Sequence, residues 1–305
     1  MKRNIYSKLW MIFFVLMGAA CTNQVEDAIP VSGQPIEFSV QSDWKEILNT
    51  RSNDKTQFGP NDEIQIFGFH KPFRDADENV QFMYKEGDPT TGQKVTYDNG
   101  NWNYSPKRFW PKKGVLDFFA SYPYNSVHYD VGNKRMTYNN NLTQDLLYGL
   151  ATNRDCASKR LVEIWMVHAL AKVRIILDES LGDIGQVTVS GYKTGHFSPI
   201  NNGVPAWEID NVNTHIYADF RKYEGKVDEE LKNNNSVTVF ILPDKITGLK
   251  MWNSVGQEID ASEEIKKHTF LAGKVYNLTI SKSNGVRKKN TNSRSIAMSV
   301  RCVSE

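Results

Sequence analysis

The densest apolar patterning lies just past mid-chain, in Trp165-Met166-Val167-His168-Ala169-Leu170-Ala171-Lys172-Val173-Arg174-Ile175-Ile176-Leu177. At period two, Trp165, Val167, Ala169, Ala171, Val173, Ile175 and Leu177 form an unbroken apolar face, while Met166, His168, Leu170, Lys172, Arg174 and Ile176 form a mixed one. A helix would scatter His168, Lys172 and Arg174 around its surface, so the spacing predicts a strand. The run exceeds the usual strand of about 5–6 residues, which predicts a bend or bulge near His168–Ala169. One buried and one half-wet face suit an inner strand of a β-sandwich. The stretch reads as the last strand of a first domain and the hinge into a second.

Strand patterns flank it on both sides. Ile36–Val40 alternates cleanly, and Glu63–Phe69 follows the turn Gly59-Pro60-Asn61-Asp62. Phe73–Gly92 is charged and loop-like. Lys94–Tyr104 is a hairpin about Asp98-Asn99-Gly100-Asn101, and Leu116, Phe118, Ala120 and Tyr122 line one face of a strand that Pro123 stops. Beyond Asp178 come Gln186–Tyr192, Pro205–Ile209, a helical turn at Val227–Lys232, then Val237–Leu242, Lys250–Trp252, Glu258–Ile259 and Gly273–Ile280. Short strands separated by turn chemistry predict an all-β chain of two tandem β-sandwich domains. The expected divisions are a leader at 1–20, a tether at 21–35, sandwiches at 36–178 and 179–283, and a basic linker with a terminal strand at 284–305.

The leader changes the picture most. Lys2, Arg3 and Lys8 precede Leu9–Met17, an apolar run too short for a bilayer that needs about 20 residues. It ends in Gly18-Ala19-Ala20-Cys21, which resembles a bacterial lipobox, with Gly18 where such boxes usually carry Leu. In a lipobox the cysteine is diacylated and becomes the new N-terminus; an ordinary secretory cleavage site beside Cys21 is the alternative. Arg51 stands in a polar, turn-rich segment, either as a solvated charge or as a site open to a trypsin-like protease.

Composition excludes more than it identifies. The 305 residues carry 37 Lys+Arg against 35 Asp+Glu, so no global field points to nucleic acid. Cys21, Cys156 and Cys302 are far apart, and the six histidines show no paired spacing, so no structural zinc site is expected. Cys156 and Cys302 are two free thiols or one disulfide. The sequence contains no nucleophile elbow, phosphate loop, dinucleotide fingerprint or zinc-protease helix. No catalysis and no cofactor are expected. His168 reads as a hydrogen-bonded core residue. Trp102, Tyr104, Phe109, Trp110, Tyr122 and Tyr124 read as core or interface, or alternatively as a sugar-stacking platform.

Several segments together resemble fimbrillin-family lipoproteins. They are Asn61–Gly68, Phe109-Trp110-Pro111, Leu116–Tyr124, Asp145–Gly149, Met166–Val173 and Ala272–Leu278. The likeness spans Ile36–Ile280, is dense between Asp62 and Val173, and thins after Leu177; Met166 stands where the family often has Phe. The resemblance implies two transthyretin-like β-sandwiches in tandem. It also implies a surface lipoprotein of the type V pilus kind, exported to the outer membrane and anchored through lipid on Cys21. An arginine-specific protease would cut after Arg51 and remove Ile36–Val40, and subunits would polymerise with other pilus subunits by strand donation. The tail alternates Ile296, Met298, Val300 and Cys302 against Ser295, Ala297, Ser299 and Arg301, the pattern of a donor strand or of a strand folded back on its own domain. Ser299-Val300-Arg301-Cys302-Val303 also looks like the closing strand of a separate secreted domain family. The alternative function is a surface glycan-binding lipoprotein that stays monomeric.

The leader supports a direct prediction. Cys21→Ser abolishes labelling by a radioactive fatty acid and releases the protein from membranes; unchanged labelling overturns lipidation at this cysteine.

Overall fold

The computed structural model describes residues 31–42, 57–72, 80–198, 206–210 and 215–282, together with the backbone of 298–304. The chain is all-β. Its first part holds β1 (Val31–Pro35), β2 (Phe38–Ser42), β3 (Glu63–Lys71), β4 (Val80–Met83), β5 (Gln93–Asp98) and β6 (Asn101–Asn103). It continues with β7 (Phe109–Pro111), β8 (Val115–Tyr122), β9 (Val127–Asp130), β10 (Arg135–Asn139), β11 (Leu147–Asp155) and β12 (Val162–His168). The second part holds β13 (Ala171–Leu177), β14 (Ile184–Tyr192), β15 (Thr194–Phe197), β16 (Glu208–Ile209), β17 (His215–Arg221) and β18 (Ser236–Ile241). β19 (Gly248–Asn253), β20 (Glu258–Asp260), β21 (Val275–Lys282) and β22 (Met298–Ser304) complete it, with short helices α1 (Glu229–Asn234) and α2 (Ser262–Ile265).

The long apolar run breaks at Ala169–Leu170 into β12 and β13, next to the expected bend. The break is stapled: Ala169 N–H donates to Leu146 O (2.8 Å), Ala169 O accepts from Trp207 Nε1 (3.0 Å), and Leu170 O accepts from Gly273 N (2.9 Å). β13 bonds to β18 and, in parallel, to β21. Ala171–Leu177 therefore belongs to the second sheet system, and the crossover lies at Ala169–Leu170 rather than at the expected boundary after Asp178. The polar residues of the mixed face each find a partner. His168 Nδ1 meets Asp145 Oδ2, Lys172 lies 6.0 Å from the Phe240 ring centre, and Arg174 Nε donates to Glu230 Oε1 (3.0 Å) on α1.

The largest sheet runs β2–β12–β11–β8–β3–β5–β6, with β4 beside the second half of β3. Both faces of β3 are covered, so Ile64, Ile66, Phe67 and Phe69 are all buried. Its buried polar residues are anchored by specific contacts: Gln65 Nε2 donates to Ser121 Oγ and Val127 O, both at 2.8 Å, and Lys71 pairs with Asp117 at 3.0 Å. Gly149 permits the close approach of β11 and β12, because a Cβ there would lie 2.6 Å from Trp165 O.

One face of this sheet packs Ile64, Ile66, Phe118 and Ile164 beneath Trp110 and the N-terminal strands. The other packs Phe67, Phe69 and Phe119 against a four-stranded sheet, β16–β15–β10–β9. That covering sheet pairs Met136 of β10 with Phe197 of β15, so residues from beyond Asp178 complete the first sandwich. The second sandwich stacks β18–β13–β21–β22 on β17–β14–β19–β20 around Val173, Ile175, Val189, Val239, Met251 and Leu278. Val80–Met83, expected in a loop, is a strand because Met83 packs against Gly68 beside β3. No helix among the described residues is long and apolar enough to cross a membrane.

Candidate functional site

The segment Val31–Ser42 forms the outermost layer of the first sandwich. β1 lies antiparallel to β7, and β2 adds to the free edge of β12 in parallel, with Phe38 opposite Val162 and Val40 opposite Ile164. The alternation read in the sequence has a direct consequence: Ile36, Phe38 and Val40 point inward and are buried, while Glu37 and Gln41 are exposed. Phe38 packs edge-on against Phe118 (ring centres 5.3 Å apart) and tilted against Tyr104 (5.8 Å).

The main chain of the segment is held from both sides. Ile36 N–H donates to Arg108 O (2.9 Å) and Val162 N–H to Glu37 O (2.9 Å). Tyr104 Oη donates to Ile36 O (2.8 Å), and Trp102 Nε1 donates to Val40 O (3.3 Å). Burial pushes the Tyr104 phenol up to about 12, so its hydroxyl stays a proton donor at any physiological pH. On the far side of the connecting residues, Phe58 packs on the same Trp102 indole at 4.9 Å. The segment is thus an apolar strand in an apolar groove, joined to the body through a stretch that contains Arg51.

A profile of the fimbrillin-like family matches residues 50–297, most of the chain. The chain belongs to the fimbrillin-like family. Membership makes it a pilus-related or adhesion-type surface protein. Solved structures similar to this fimbrillin-like chain include a candidate cell adhesion protein from Bacteroides uniformis, at 17% identity and a TM-score of 0.53, covering 89% of this chain and 98% of that one. Another, from Bacteroides ovatus, has 14% identity and a TM-score of 0.51, covering 88% and 96%. The tip fimbrial protein Mfa3 from Porphyromonas gingivalis is similar at 8% identity and a TM-score of 0.42, covering 81% and 95%. No curated protein matches the sequence.

The expected sites of this fimbrillin-like chain fall in different places. Cys21, Arg51 and Ile296 lie outside the described residues. Met298, Val300 and Cys302 stand on β22, which closes one edge of the second sandwich opposite Lys282, Ile280 and Leu278 of β21. The tail strand is therefore paired with its own chain here. Cys156 is a free thiol in the first sandwich's core, and burial pushes it up to about 12, which keeps it protonated and inert. Trp102, Tyr104 and Trp110 line the groove as buried core, so they offer no exposed stacking platform. Among the described residues no group of acidic, histidine and cysteine side chains fits a metal ion. Sequence reasoning missed the donors from Tyr104 and Trp102 to the N-terminal strand, because nothing local to those residues announces a partner more than 60 positions away.

The groove makes a measurable prediction. Tyr104→Phe leaves the Ile36 carbonyl without its buried donor, at a cost of about 1–3 kcal/mol. Amide exchange in Phe38–Ser42 then speeds up while exchange in β13 and β21 is unchanged; equal protection in both forms would show that this bond does not hold the segment.

Proposed function

We propose that this protein is a structural or accessory subunit of a cell-surface pilus. It is exported as a lipoprotein acylated at Cys21, cut after Arg51 by an arginine-specific protease at the outer membrane, and assembled with other pilus subunits by strand donation. The observation that carries this reading is the N-terminal strand seated in the groove between Trp102, Tyr104, Phe118 and β12.

Its energetics suit exchange. Burying Ile36, Phe38 and Val40 contributes about 1.5–3 kcal/mol each. Ordering the backbone costs about 1–2 kcal/mol per residue, so over the five residues Ile36–Val40 the two nearly cancel and hydrogen bonds decide the outcome. Such a strand stays in place because its tether keeps it at an effective concentration on the order of millimolar. A cut at Arg51 removes that advantage and leaves the groove open to a strand from another chain. The donor in this reading is the tail, Ile296, Met298, Val300 and Cys302. What supports it is the position of β22 at a sheet edge, where leaving breaks one ladder only.

Two variants test the reading. Arg51→Ala gives a surface protein that keeps its N-terminal strand and forms no SDS-resistant ladders, while wild-type assembled subunits begin at Ser52 on N-terminal sequencing. Assembled subunits that begin at a blocked Cys21 overturn processing at Arg51. Met298→Asp combined with Val300→Asp gives a folded monomer that no longer polymerises; a stable double variant that still forms ladders rules the tail out as the donor.

A further inference from the structure

The second sandwich presents an open cavity of about 290 Å3 walled by Gln186, Arg221, Tyr223, Glu224, Trp252 and Asn253. It lies on the outward side of the β17–β14–β19–β20 sheet. Gln186 stands opposite Arg221 on one neighbouring strand and Trp252 on the other, so the three side chains project in one row from one face. The adjacent positions Val187, Phe220 and Met251 are buried in the core, which fixes that row as facing out.

Two features hold this row in a definite shape. The pairing of β14 with β19 slips between Ile184 and Gln186, leaving Gly185 as the extra residue of a bulge. The Tyr223 ring lies over that residue: a Cβ built on Gly185 would sit 3.5 Å from Tyr223 Cδ2. The residue is 57% exposed, yet its hydroxyl donates to Asp183, with both carboxylate oxygens within reach at 2.8 and 2.7 Å. Lys222 Nζ bonds the same carboxylate at 2.8 Å and lies 5.5 Å from the ring centre. Across the cavity, Asn253 Oδ1 accepts from Val255 N (3.2 Å) and Gln257 N (2.8 Å), which locks the β19–β20 turn. An exposed aromatic ring with a fixed rotamer loses little entropy on binding.

The chemistry on offer is specific. Among the described residues, the side chains of Gln186, Arg221 and Glu224 have no hydrogen-bond or ion-pair partner, which leaves donors and an acceptor free around an aromatic face. Glu224 beside Arg221 opposes a strongly anionic ligand, and the open polar rim opposes a purely apolar one. A sugar ring matches both demands, with an apolar C–H face and a rim of hydroxyls. We propose that this face of the second sandwich binds a neutral pyranose unit of a glycan, stacked on Tyr223 and held through its hydroxyls by Gln186, Arg221 and Glu224. The site is on the other sandwich from the N-terminal groove and on the opposite sheet from β22, so it stands apart from the assembly reading.

Saturation-transfer NMR on the full chain, with the methyl glycosides of glucose, galactose, mannose and N-acetylglucosamine as probes, tests the proposal. At least one receives saturation at its ring protons, and Tyr223→Ala weakens its binding about tenfold, the scale of one lost aromatic contact. Arg221→Ala weakens it as well. Both changes are on exposed side chains, so the melting temperature and the SDS-resistant ladders stay as in wild type, which separates failure here from failure of assembly. No transfer to any of the four sugars overturns the proposal. So does transfer that survives Tyr223→Ala, and so does binding of sialyllactose alone, which would assign the cavity to acidic sugars.

Discussion

A sheet edge that overhangs an apolar core has two needs: partners for its row of main-chain donors and acceptors, and cover for the side chains beneath. In this protein β12 is such an edge, and one short segment meets both needs. β2 supplies the parallel ladder, while Ile36, Phe38 and Val40 close the core over Phe118 and Ile164. Everything proposed about assembly depends on that single contact. In the proposed assembly it seals the sandwich while the segment remains attached, and the near balance of burial against ordering is what lets another strand replace it.

Exchange at an edge is useful only if the rest of the subunit survives it. The arrangement of the cores provides for this. The groove opens onto one face of the large sheet, whereas the opposite face is packed by the aromatic cluster of Phe67, Phe119, Tyr148 and Phe197. Trp207, Phe240 and Leu242 join that cluster from the second part of the chain. The second sandwich has a separate core in which neither N-terminal strand takes part. Loss of Val31–Ser42 therefore uncovers one layer of a many-layered molecule.

The distribution of polar groups fits a protein that works by surfaces. Buried Gln65, Asp117, His168 and Lys172 are each tied to a partner that explains their burial. On the outer face of the β17–β14–β19–β20 sheet, Gln186, Arg221 and Glu224 instead line an open cavity. In the proposed readings, the N-terminal groove lies on the first sandwich, while the donor strand β22 and the ligand cavity lie on opposite sheets of the second.

The sequence by itself determined the class of the fold and much of its strand content. Alternation is local, so Ile36–Val40 and Gln186–Tyr192 showed their buried faces without a partner in view. The bend near His168–Ala169 followed from length alone, since no single strand carries so long a run. The family likeness was legible for the same reason, in short segments whose order survives. Only the tertiary structure decided which strands belong together. β13 joins the second sandwich because its hydrogen bonds run to β18 and β21, a choice no pattern within Ala171–Leu177 expresses. Val80–Met83 and Thr194–Phe197 became strands because an edge of β3 and an edge of β10 awaited them. The aromatic residues around Trp102 carry equal hydrophobicity whether buried or exposed, so sequence left them open between core and platform. Packing against the N-terminal strand buried Trp102, Tyr104 and Trp110, while Tyr223, unremarked in the chain, stands exposed on the second sandwich beside a half-buried Trp252.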